Sequence, residues 1–172
     1  MAGGRARLPF RSVNRAGAPG YQPGLQRHHL LPCQALGQRS FTAFIAALGH
    51  ERIGFDDFRR NGLLLPANDT AALRLGLPLH RGPHRTYNEL VFERLGRIEA
   101  TWNGARLRFR VVANTDALAR ITLLQAALRR RLLAEGRPFR LNRQDRLQPA
   151  DFSVLDAMAA QLWTATGAAS SG

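Results

Sequence analysis

Between Asp116 and Ala134, apolar side chains fall at Ile121, Leu124, Leu128 and Leu132, and Gly136 follows. Steps of three and four residues place these side chains on one side of a helix, and that side has to be covered. The same spacing recurs elsewhere. Phe41, Phe44, Ile45 and Leu48 predict a helix over residues 38–48, ended by Gly49. Tyr87, Leu90, Val91 and Leu95 mark the buried face of another, with Gly82-Pro83 ahead of it and proline suited to its first position. A last amphipathic helix is predicted over residues 149–163, capped by Asp151. Strand patterns are scarce. "NGLLLPAND" reads as a short buried strand, closed by a helix cap at Asn68 or Asp69. "IGFDDF" reads as a loop or short turn, and "WNGARLRFRVV" fits either a hairpin at Asn103-Gly104 or a helical stretch. The expected fold class is α+β, predominantly helical.

A chain of 172 residues with 45% apolar content supports one domain with appendages and a real core. Residues 1–24, rich in Gly, Pro and Arg without apolar periodicity, are expected to form a flexible basic arm, and residues 166–172 a disordered tail. Apolar runs such as "FTAFIAALG" fall far short of the ~20 residues of a membrane span, so no membrane partner is expected. The basic N-terminus has no apolar h-region, so no secretory signal peptide is expected, while a transit peptide stays open. Cys33, the single cysteine, excludes an intramolecular disulfide and a CxxC zinc site. Any metal must therefore be held by histidine and oxygen.

The net charge is +13, and all 25 basic residues are arginine. Arginine binds phosphate bidentately, which points to a polyanion such as nucleic acid. A GC-rich coding bias accounts for arginine in place of lysine but not for the excess over Asp and Glu.

Four of the five histidines fall in two clusters, His28 with His29 and His80 with His84, while His50 stands apart at a predicted helix end. Adjacent side chains of an extended segment point to opposite sides, so His28 and His29 are poorly placed to share one small ion. A division of labour suits them better, one holding a metal and the other facing substrate, because imidazole serves as ligand and as proton acceptor. His80 and His84 are four apart and would share a helix face, unless the helix starts at Pro83 and the pair meets only through a turn. Asn61-Gly62 between the clusters is a turn dipeptide by default.

In order, "HHLLP" (28–32), "NGLLLP" (61–66) and "HRGPHRTYN" (80–88) resemble the AHH family, a set of predicted nucleases in the HNH/endonuclease VII superfamily. The resemblance covers roughly residues 25–100, leaving 101–165 as a helical extension packed on that core. Arg27 stands where the name-giving motif has alanine. The resemblance implies a small ββα-metal motif embedded in a helical domain. It implies His28, His80 and His84 as ligands of one divalent ion, His29 as the general base, and Asn61 as a residue that orients His29 or braces its loop. Mg²⁺ or Mn²⁺ is the ion expected from the family, and a histidine-rich set also suits Zn²⁺, Ni²⁺ or Co²⁺. Arg27, Arg81 and Arg85 would grip phosphates of a nucleic acid, DNA before RNA. Relatives of this kind include toxin modules neutralised by an immunity protein, so the setting is either cytoplasmic or that of a delivered effector. Two other classes compete: a non-catalytic nucleic-acid-binding module with a structural metal, and a helical interaction protein using the faces at 116–134 and 149–163. Adjacent histidines are a poor source of two tetrahedral ligands, which counts against the first.

Overall fold

The computed structural model describes residues 6–82, 84–134 and 141–142. It is a mainly helical α+β fold, with a two-stranded antiparallel ribbon of β1 (Leu25–His29) and β2 (Gly62–Pro66). The register runs from Leu25 opposite Pro66 to His29 opposite Gly62. Between the strands come two short 3-10 turns over Cys33–Gly37 and Arg39–Phe41, then α1 (Thr42–Leu48), α2 (His50–Ile53) and α3 (Phe58–Asn61). The segment expected as a loop, "IGFDDF", thus lies between two single-turn helices. Gly54, at φ +82°, ends the first, and the Asp57 side chain caps the second by accepting from the Arg59 amide.

After β2, Asn68 caps α4 (Asp69–Leu75), accepting from the Ala71 amide as its position predicted. β3 (His80–Arg81) then pairs in parallel with β4 (Leu141–Asn142). α5 (Arg85–Ala105) starts two residues after Pro83, which itself lies outside the described residues. α6 (Arg110–Leu133) begins six residues before the expected Asp116. Helix therefore carries straight through Asn103-Gly104, and no hairpin forms there. The last turn of α5 is anchored from outside: buried Trp102 donates from Nε1 to Asn114 Oδ1 on α6 at 2.7 Å. That anchor ties the two helices together across the connection.

The core lies where α5 and α6 cover α1, α2 and the end of the ribbon. α5 contributes Tyr87, Leu90, Val91, Leu95, Ile98 and Trp102, and α6 contributes Ala113, Ala117, Ile121, Leu128 and Leu132. The α6 face predicted to be apolar is thus spent on the core rather than offered to a partner. The predicted helix over 149–163 and the tail over 166–172 lie outside the described residues.

Residues 6–24, expected to lie in a flexible arm, make defined contacts with the rest of the chain. Leu8 donates to Asp57 Oδ1 and accepts from the Phe58 amide, Pro9 bridges Asp57, and Arg7 pairs with Asp56 and Glu51. Asn14 spans its own loop, with bonds to Gln22 and Leu25. Composition suggested an arm because one buried aromatic, Phe10, and a few backbone bonds leave no periodic trace in sequence. Residue 100, the expected end of the core, lies within the last two turns of α5.

Candidate metal centre

β1 alternates as an extended strand must. His28 points inward at 1% exposure while His29 is half-buried on the other face. His80 arrives on β3, and His84 is the residue just before the first turn of α5. Between them Gly82 takes φ +80°, a conformation that side chains with a Cβ rarely adopt. The pair therefore converges through a turn and not along one helix face.

One ring nitrogen from each of His28, His80 and His84 lies within 4.8 Å of the others. The His80 and His84 Nε2 atoms are 3.1 Å apart. The ring of His28 meets those of His80, His84 and Tyr87 edge-on, with centroids 4.9, 5.2 and 5.0 Å away. Among the described residues, His28 Nε2 and His80 Nδ1 are buried without a hydrogen-bond partner. A buried polar atom left unpaired costs free energy, and a bound cation removes that cost for a nitrogen lone pair.

Supporting groups fix the rings. Asn88 donates from Nδ2 to Gln34 Oε1 at 2.7 Å, which leaves its Oδ1 as an acceptor, 3.0 Å from His84 Nδ1. His84 Nδ1 therefore carries the hydrogen and its Nε2 presents a lone pair towards His80. A hydrogen bond from the second ring nitrogen is the usual means of orienting a ligating imidazole, and here a side-chain amide oxygen accepts it. Tyr87, fully buried, donates to the Leu30 carbonyl at 2.7 Å and so ties α5 to the end of β1. It packs the helix, as its spacing suggested.

Burial holds all three rings neutral, the form that binds metal. It pushes His28 well below the ordinary histidine value, aided by His80 and His84, and pushes His80 down to about 4, aided by His84. His84 is lowered by burial against the opposing effect of its hydrogen bonds.

His29 is not part of this cluster. Its ring stacks on Phe10 with centroids 3.7 Å apart and planes 3° from parallel. Burial lowers its pKa and Arg27 adds to that, while Asp56 opposes. Asn61, fully buried, makes no hydrogen bond to His29. Its Oδ1 accepts from the Leu31 amide at 2.7 Å, and its Nδ2 donates to the Leu31 and Phe55 carbonyls. Gln125 of α6 adds a longer bond to the same Oδ1. Of the two roles expected for Asn61, its side chain is committed to bracing the loop. Arg27 donates from Nη1 to the Phe10 carbonyl at 2.9 Å, whereas Arg81 and Arg85 are exposed beside the histidine cluster.

Spacing could have flagged Asn88, which lies four residues after His84 on the same helix face. Nothing local marks Phe10, Gln34 or Gln125, which reach the site only through the fold.

Strand β1, strand β3 and the start of α5 thus bring three histidines together at a candidate metal site. The chain belongs to the AHH family, a nuclease family of the HNH/ENDO VII superfamily with conserved AHH, whose model matches residues 9–122. The match starts well before residue 25 and extends past α5 into α6, so it takes in most of the docked N-terminal segment. Searches of curated proteins and of solved structures found no match. No described helix is long and apolar enough to cross a membrane.

Proposed function

We propose that the protein is a metal-dependent endonuclease that hydrolyses phosphodiester bonds, with DNA the expected substrate. The observation that carries this reading is the convergence of His28, His80 and His84 next to an uncommitted imidazole, His29. The ring nitrogens of His29 make no hydrogen bond among the described residues, and burial favours the neutral ring. It is thereby able to take the proton from a water in line with the scissile bond. Charge relief on the phosphate and support for the leaving oxygen would come from the divalent ion held by the three histidines. Three neutral nitrogen donors fit Mn²⁺, Co²⁺, Ni²⁺ or Zn²⁺ better than Mg²⁺, which prefers oxygen ligands.

Asn61 acts through the backbone, holding Leu31 and hence the strand end that presents both histidines. Arg81 and Arg85 flank the ligands and would hold adjoining phosphates. Arg27 retains free donors beyond its bond to Phe10 and would contribute a further contact. The net charge of +13 favours association with a polyanion at long range. An effector role, with an immunity protein as partner, is compatible with the same site.

The test uses purified protein and supercoiled plasmid with Mn²⁺ or Mg²⁺, an EDTA control, and a parallel RNA substrate. Cleavage is expected to require metal and to fall by about 10²–10⁴-fold in His29→Ala. Metal uptake without cleavage of either nucleic acid would instead favour a non-catalytic binding module with a structural ion.

A further inference from the structure

A histidine that works as a base is ordinarily oriented by a hydrogen bond from its second ring nitrogen to a carboxylate, amide or carbonyl. His84 has such a brace in Asn88. His29 has none among the described residues, and its neighbour Asn61 is fully committed to the Leu31 and Phe55 backbone. One face of the His29 ring is instead covered in parallel by Phe10, at 3.7 Å. A face-on stack restricts rotation of the imidazole while leaving both nitrogens at the ring edge free for water.

Phe10 is itself firmly held. It is 6% exposed and packs edge-on against Phe58, with centroids 5.1 Å apart. The residue opposite His29 in the ribbon is Gly62, and a Cβ there would overlap the Phe58 ring. The bare glycine thus admits Phe58, on which Phe10 leans. From the other side, Arg27 fastens the Phe10 carbonyl at 2.9 Å, and it does so at the position where the family carries alanine. Leu8, Pro9 and Asp57 clamp the preceding residues to α3.

We infer that Phe10 is a positioning residue for His29, and that the N-terminal segment of residues 8–13, latched by Arg27, is the device that aims the base. This inference rests on the reading of His29 as general base. It adds that the aim is set by an aromatic stack where a hydrogen bond would be usual.

The experiment compares the full chain with Phe10→Leu, Phe10→Tyr and Arg27→Ala. It reads kcat and KM on a short duplex with Mn²⁺ present. Starting from metal-free protein, it reads Mn²⁺ affinity by calorimetry and the His29 ring-proton resonances by NMR, since paramagnetic Mn²⁺ would broaden them. Phe10→Leu keeps the bulk but loses the stack. Its kcat is expected to fall roughly ten- to a hundredfold, the scale of a misplaced catalytic group, with KM and Mn²⁺ affinity unchanged. The His29 resonances should lose the upfield displacement imposed by a stacked ring. Phe10→Tyr should restore both kcat and the displacement, and Arg27→Ala should lower kcat by a smaller factor. Wild-type kcat in Phe10→Leu with displaced resonances lost would overturn the inference, because the base would then work unaimed. Equal losses in Leu and Tyr variants accompanied by weakened Mn²⁺ binding would also overturn it, leaving Phe10 as packing alone. Failure of the general-base reading is separate: the unaltered chain and His29→Ala would then cleave equally or not at all, and the inference would fall with it.

Discussion

At the scale of single residues, the candidate site depends on imidazoles kept neutral and aimed. Asn88→Ala removes the acceptor for His84 Nδ1 and frees the ring to turn. Metal affinity should drop by about 10–100-fold, measured by calorimetry, with little change in helix content. Acid should act on the same rings. His80 titrates near 4 in the folded chain against 6.5 in the unfolded one, and His28 and His84 shift in the same direction. The unfolded chain therefore binds more protons across that window. Stability from these groups is complete above pH 6.5 and is lost as the pH falls towards 4. Melting temperature of the metal-free protein should fall across this range, and His80→Asn should flatten the slope. A level profile in the unaltered protein would contradict the burial of the three rings.

At the scale of elements, the ribbon and its neighbours explain why "NG" here is not a turn. Asn61 closes α3 and Gly62 opens β2, so the dipeptide is a helix-to-strand junction. Gly62→Ala would drive a methyl into the Phe58 ring, which has Phe10 and then His29 behind it. Overpacking of this kind should destabilise by about 1–3 kcal/mol in denaturant unfolding. The same substitution should lower cleavage more than it lowers metal affinity, because the disturbance travels towards His29 and away from the cluster. The long helices were legible from spacing: every residue named for the buried face of α5, Tyr87, Leu90, Val91 and Leu95, is buried. Their ends were not. Asn103-Gly104 stays helical because Trp102 and Asn114 hold α5 against α6, and no local propensity encodes that bond.

At the scale of the whole molecule, metal should couple to folding, since the three ligands come from two ends of the chain's first half and meet only when it is folded. A hundredfold excess of Mn²⁺ over its dissociation constant should add about 2.7 kcal/mol of stability. The melting temperature should rise accordingly and return on adding EDTA, and His28→Ala should abolish the response.

The sequence by itself determined the helical class, the inward and outward split of His28 and His29, and the two clusters. These follow from periodicity and strand alternation, which are local properties of the chain. The order of the three motifs pointed further, to a family that the match over residues 9–122 bears out. Only the tertiary structure decided that His80 and His84 meet through a turn at Gly82, that Asn61 braces backbone, and that Phe10 lies on His29. Each of these is a contact between segments distant in sequence or a backbone conformation set by its surroundings. Such contacts are selected by which surfaces are buried together, and a single aromatic in a Gly- and Pro-rich segment carries no periodic signal of where it will dock.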